Sequence, residues 1–134
     1  MIVLDNDVLV KIGGQDPDPA VVSHLKQYSN QEWTIPSLVA WEFYKSQASR
    51  TQMLKSQRAL NRDIDRILNF SDDVALEAAY LGERLQTQGV TLDPIDMLNL
   101  ATAHEAGATF VTYNSNDFDK SPIHELTDID VIVS

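Results

Sequence analysis

The stretch from Leu92 to Phe118, LDPIDMLNLATAHEAGATFVTYNSNDF, decides how this chain folds. Pro94 suits the first position of a helix, where a missing N–H is no loss, and Asp93 before it can cap the exposed amides. Ile95, Leu98, Leu100, Ala101 and Ala106 then form a broad apolar face, and Gly107 stops the helix. Thr109-Phe110-Val111-Thr112 is β-branched and aromatic, which predicts a short strand fed by a tight turn. Asp96 lies in the first helical turn, where free N–H groups and the helix dipole favour a carboxylate. Asn114 and Asp117 follow the strand, at the end where open α/β sheets keep their sites.

The same alternation of strand and helix extends towards both termini. Met1 to Leu4 is a buried strand, and Asp5-Asn6-Asp7 leads into an apolar helical start, Val8 to Ile12. Gly13-Gly14 breaks that helix, and Gln15 to Pro19 is a polar turn. Ala20 to Ser29 keeps helical spacing through Val21, Val22, Leu25 and Tyr28. Trp33-Thr34-Ile35 is the next strand, and Pro36-Ser37 opens a helix running through Val39, Glu42, Phe43 and Ser46 towards Arg50. Gln52 to Asn69 is predicted helical, with Leu54, Leu60, Ile64, Ile67 and Leu68 roughly on one side. Ser71-Asp72-Asp73 caps a helix from Val74 to Gln86 whose buried face is Ala75, Ala78, Ala79, Leu81 and Leu85, ended by Gly89. Asp119 to Asp128 is predicted as loop and Val131 to Val133 as the last strand. Short apolar strands between helices predict one α/β domain over residues 1–134: a three-layer α/β/α sandwich around a parallel sheet.

Composition narrows the chemistry. A chain of 134 residues can bury a sizeable core, and 43% apolar residues describe an ordinary globule. The apolar runs are too short to span a membrane and the N-terminus lacks a basic leader region, so a cytoplasmic protein is expected. With no cysteine, disulfides, thiolate nucleophiles and zinc–thiolate sites are excluded. A net charge of −10 argues against a DNA-coating protein. Yet Lys45, Arg50, Lys55, Arg58, Arg62 and Arg66, six of the ten basic residues, fall in one short span. Lys55, Arg58, Arg62 and Arg66 recur at helical spacing; a solvated face paired with Asp63 and Asp65 explains them at least as well as contact with RNA phosphates.

The acids form the candidate site. Asp5 ends the first strand, Glu42 is on the helix after the second, Asp96 starts a helix, and Asn114 and Asp117 follow the next strand. Carboxylates converging on one sheet edge would repel strongly unless a cation neutralised them. Oxygen ligands without cysteine select Mg²⁺ or Mn²⁺. Such a site can acidify a water, aim it at a phosphodiester and stabilise the leaving oxyanion, with or without a second ion about 4 Å away.

The segments IVLDNDVL, WEF and DMLNLATAHEAGATFVTYNSNDF, in that order, resemble the PIN-domain family, specifically the toxins of VapBC-type toxin–antitoxin pairs. The resemblance covers nearly the whole chain, and the order and spacing of its short motifs make it specific. It implies an α/β/α fold and an endoribonuclease dependent on Mg²⁺ or Mn²⁺, often a homodimer, inhibited by a cognate antitoxin. Asp5, Glu42, Asp96 and Asp117 match the family's four acids. Asn114 matches the polar residue of its Thr-x-Asn turn, opened by Thr112. By this resemblance Asp5, Asp96 and Asp117 are the main metal ligands, Glu42 holds the metal through water or accepts a proton, and Asn114 orients the site. One departure is Asp5-Asn6-Asp7 in place of the family's usual Asp-Thr-Asn, which exchanges a hydroxyl for a carboxylate.

Each residue also has a plainer explanation. Asp5 can cap the following helix, Asp7 is more naturally a cap or first-turn acid than a ligand, and Asp93 is taken as a cap. Glu42 alone would be a solvated glutamate, Asn114 a turn residue and Asp117 a cap. Trp33 and Trp41 are assigned to core or dimer packing, and no histidine stands at ligand spacing from a second. Asp5-x-Asp7 after an apolar strand also fits a haloacid-dehalogenase-like phosphatase, with Asp5 phosphorylated and Asp7 protonating the leaving group. That alternative leaves Glu42 and Asp96 unexplained. A catalytically inactive PIN-like binding domain is the other alternative, and a full set of four acids weighs against it.

Overall fold

The structure is a computed structural model describing residues 1–133. Five strands form one parallel sheet: β1 (Ile2–Leu4), β2 (Trp33–Pro36), β3 (Arg66–Leu68), β4 (Thr109–Thr112) and β5 (Ile129–Val131), in the order β3-β2-β1-β4-β5. Ile2 stands opposite both Trp33 and Thr109, so β1 is the central strand. Side chains alternate across it. Ile2 and Leu4 enter a core with α1 (Asn6–Ile12), α2 (Pro19–Leu25), α3 (Ser37–Lys45) and α4 (Arg50–Asp63), through residues such as Val8, Leu25, Val39 and Leu60. Val3 enters the opposite core, with α5 (Asp72–Thr87), α6 (Pro94–Glu105) and α8 (Ser121–Leu126), the last preceded by the short α7 (Ser115–Phe118). Helices thus cover both faces of an all-parallel sheet, the predicted three-layer arrangement.

Four features differ from the sequence reading. Gln52 to Asn69 is not one helix: α4 ends at Asp63 and β3 follows. Ile64, Ile67 and Leu68 have helical spacing, but Asp65 is captured by β2. Its N–H donates to the Trp33 carbonyl (2.9 Å) and its carboxylate accepts from the Trp33 N–H (2.8 Å). Strand pairing outweighs a local preference of a few tenths of a kcal/mol per residue. Arg66 therefore leaves the predicted basic stripe and pairs with Glu32 at 3.0 Å, while Arg62 pairs with Asp63 at 2.9 Å. The helix opened by Ser37 stops at Lys45, and Ser49 caps α4 by accepting from the Gln52 N–H (3.2 Å). Residues 115–126 hold two short helices rather than loop, and the last strand begins at Ile129, two residues before Val131.

Gly107 sits at φ +68, the left-handed conformation that turns α6 into β4. A Cβ there would meet nothing within 4 Å, so only backbone conformation opposes a side chain. Gly107→Ala is expected to cost about 1 kcal/mol, read from urea unfolding midpoints. Among the described residues no helix is long and apolar enough to cross a membrane.

Candidate active site

The strand order reverses between β1 and β4: β2 and β3 extend the sheet one way, β5 the other. Crevices in open α/β sheets form outside the carboxyl ends of the strands at such a reversal. Asp5 follows β1 there, and Asn114 and Asp117 follow β4.

Asp5 is 6% exposed and fixed by the chain around it. As the N-cap of α1 it accepts from the Asn6 N–H (2.8 Å) through one oxygen and from the Thr112 hydroxyl (2.8 Å) through the other. The Thr112 hydroxyl oxygen in turn accepts from the Asn114 N–H (3.1 Å), joining the ends of β1 and β4 in one hydrogen-bonded chain. The hydroxyl that reaches Asp5 thus comes from the far strand, β4. Burial, then repulsion from Asp7, raises the Asp5 pKa from 3.8 to about 7, against the lowering effect of Thr112 and the Asn6 amide; Asp96 adds to the rise.

Asp96, half-buried in the first turn of α6, is pushed up to about 6, first by burial and then by repulsion from Asp117, Asp93, Glu42 and Asp7. Asp93 is the cap, accepting from the Ile95 N–H (3.0 Å). Asp7, in the first turn of α1, is raised chiefly by burial and accepts from the Tyr113 N–H (3.2 Å). Asn114 orients Asp117 from both ends of its amide. Its Nδ2 donates to the Asp117 carboxylate (2.8 Å), and its Oδ1 accepts from the Asp117 N–H (3.3 Å).

Glu42 reaches the group from α3 and accepts from the side-chain amide of Asn99 on α6 (3.3 Å). Asn99 is fully buried and lies three residues after Asp96, hence on the same helix face. Among the described residues its Oδ1 has no hydrogen-bond partner, nor has that of Asn6, and a buried unsatisfied acceptor costs about 1–3 kcal/mol. Sequence reasoning passed over Asn99. The available signal was one asparagine among Leu98, Leu100 and Ala101 on a face otherwise assigned to the core.

The five predicted residues therefore gather at one end of the sheet, with Asp7 and Asp93 at the margin. No basic side chain is among the principal influences on Asp5 or Asp96; Lys11 acts on Asp7. Among the described residues no three acidic or histidine side chains already stand close enough to hold one ion between them. The donor chemistry still fits a hard divalent cation, because every candidate ligand is an oxygen and Asp5 and Asp96 are held protonation-prone by burial first and by neighbouring carboxylates second. The histidines are engaged elsewhere: His24 with Asp130 (2.8 Å), His104 with Glu77 (3.2 Å) and His124 with Asp119 (2.9 Å). Trp33 packs at the core and donates to the Tyr28 carbonyl (2.9 Å), whereas Trp41 is 49% exposed with the Lys45 ammonium 4.2 Å from its ring centre.

The family described as PIN domain matches residues 2–122. No curated protein matches the chain in sequence. Among solved structures, FitAcB from Neisseria gonorrhoeae is 20% identical, with a TM-score of 0.74 covering 99% of this chain and 97% of that one. VapBC2 from Rickettsia felis, bound to a DNA fragment from its promoter, is 20% identical with a TM-score of 0.77, covering 99% and 100%. A toxin–antitoxin complex from Klebsiella pneumoniae is 20% identical with a TM-score of 0.73, covering 98% and 97%. At these identities the likeness is one of fold.

Proposed function

The chain belongs to the PIN-domain family, and from that membership we propose that it is a divalent-metal-dependent endoribonuclease, the toxin of a toxin–antitoxin pair. The observation that carries this reading is the crowding of Asp5, Glu42, Asp96 and Asp117 at the strand-order reversal, where burial and mutual repulsion raise Asp5 and Asp96. Such strain is expected where positive charge is to be received. Asp5, Asp96 and Asp117 would hold Mg²⁺ or Mn²⁺, with Glu42 at its edge. When bound, the ion supplies charge against the scissile phosphate and acidifies the attacking water.

The residues of the chain do the rest. Thr112 and the Asn6 amide fix both oxygens of Asp5, and Asn114 fixes the rotamer of Asp117. Glu42, still open on one oxygen, takes the proton from water. Membership of the PIN-domain family removes the support for the phosphatase alternative, which needs a different fold around Asp5 and Asp7.

An antitoxin partner is supported by the Klebsiella relative, itself a toxin–antitoxin complex. The surface offered to it is an apolar groove of about 550 Å³ between α1, α2, α3 and α4, lined by Leu9, Ile12, Val22, Leu25 and Phe43 together with Arg62 and Asp63. It suits a partner segment carrying apolar side chains at helical spacing. A homodimer is proposed with it, because Trp41, Leu76 and Tyr80 are 49%, 71% and 54% exposed. The cytoplasm is the proposed compartment, as an RNA substrate and a chain without cysteine both suit it.

Cleavage of mixed structured RNAs by the purified protein with Mg²⁺ or Mn²⁺ tests the reading. Cleavage is expected to vanish in EDTA and to fall at least about a hundredfold in Asp96→Asn, since even outer-shell changes at metal sites cost 10–100-fold. Equal cleavage by wild type and Asp96→Asn would trace the activity to a contaminant. RNA binding without cleavage would favour the inactive binding domain.

A further inference from the structure

Asn99 is polar at a place where the packing calls for an apolar residue. It is fully buried on α6, followed by Leu100 and Ala101, which are also fully buried. The orientation of its amide is dictated by its neighbour. A carboxylate only accepts, so Nδ2 must face Glu42, and Oδ1 is turned into surroundings that offer it no donor. A leucine of similar size would leave no unsatisfied atom at position 99. An asparagine held here against stability has one product, the bond from α6 to α3, and that bond ends on an acid of the candidate site.

We propose that Asn99 is a positioning residue for Glu42, holding one carboxylate oxygen so that the other stays aimed at the ground shared with Asp96. The two helices meet only through side chains, and a free glutamate would sample several rotamers. A neutral amide donor fixes it without adding charge. A lysine or arginine at position 99 would also hold Glu42, but it would neutralise part of the negative field that draws a cation to the site. The spacing is economical: Asp96 and Asn99, one helical turn apart, set a ligand and the support of another ligand on one face. Such outer partners fix the geometry of metal-holding side chains elsewhere.

This inference rests on the metallonuclease reading, and four proteins test the two separately: wild type, Asn99→Leu, Glu42→Gln and the double variant. Each is measured for melting temperature without metal, Mn²⁺ affinity by calorimetry, and RNA cleavage rate. Asn99→Leu is expected to melt at or above the wild-type temperature, yet to lose roughly 10–100-fold in Mn²⁺ affinity or cleavage. In the Glu42→Gln background the same change is expected to cost less than twofold further, because the carboxylate it serves is gone. Asn99→Leu that binds and cleaves like wild type overturns the inference, as does a loss that adds in full to that of Glu42→Gln. A loss matched by a lowered melting temperature makes Asn99 merely structural and also overturns it. A wild type that neither binds Mn²⁺ nor cleaves RNA sinks the metallonuclease reading itself, and this inference with it.

Discussion

Asp5→Asn is expected to reduce cleavage at least about a hundredfold while making the metal-free protein more stable above pH 7. The two effects have one cause. The Asp5 carboxyl titrates near 3.8 when unfolded and near 7 when folded, so between those values the folded state binds the extra proton. Stability from this group is therefore greatest at the acid end and is lost as pH rises from about 4 to about 7. The loss is on the order of 4 kcal/mol for a group this buried. Asp96, raised to about 6, acts in the same direction but is half in contact with water, which weakens its share. An asparagine at position 5 can still accept from the Asn6 N–H, and the Thr112 hydroxyl can rotate to accept from its amide. Melting temperatures of wild type and Asp5→Asn, taken from pH 4.5 to 8.5 in EDTA, should diverge as pH rises towards about 7 and keep a constant gap above it. Adding Mn²⁺ at pH 8 should raise the wild-type value and leave the variant's where it was. Parallel curves across the range would show that burial at Asp5 is not felt as charge.

Phe118→Ala is expected to destabilise the protein by roughly 3–5 kcal/mol, a fall of about 10–20 °C in melting temperature. Phe118 is fully buried and packs at 57° on Phe110, with ring centres 5.3 Å apart. It closes α7, a helix of four residues that would not hold together alone. Asp117 sits one residue before it, so the ring that fills the lower core also anchors the segment carrying that acid. Cleavage measured well below the variant's melting point should fall further than the folded fraction accounts for. Phe118→Leu should recover most of the stability and most of the rate. An activity that simply tracks the folded fraction would leave Asn114 as sufficient support for Asp117.

Much of this arrangement was legible because it is written locally. Pro94 after Asp93, Gly107, and the β-branched run before Thr112 each act within a few residues, and α6 and β4 fall where they place them. The five predicted site residues could be named from motif order, and all of them come to the end of the sheet where the strand order reverses. What escaped depends on partners distant in sequence. Arg66–Leu68 is a strand only because Thr34, Ile35 and Pro36 lie beside it. Its own residues satisfy helical spacing equally well. The helix that starts at Ser121-Pro122, in the stretch predicted as loop, has no side-chain cap from Lys120 to announce it. The support for Asp5 comes from Thr112, 107 residues away, and that for Glu42 from Asn99, 57 residues away. A polar residue among apolar ones, as at Asn99, marks such a bond locally, but nothing in either neighbourhood names the partner.

The central place of β1 also governs the order in which the molecule can be made. Synthesis delivers β1 first, yet one of its two edges must wait for β4, whose residues Thr109 to Val111 pair with Ile2 to Leu4. Until then a fully apolar strand has an open side, and Asp5 lacks Thr112, Asn114 and Asp117. Closure of so long a loop is slow compared with local helix formation. In a nascent chain the acids of the candidate site therefore stay apart until β4 and α7 have left the ribosome. During the same interval the unpaired edge of β1 leaves the chain at its most aggregation-prone.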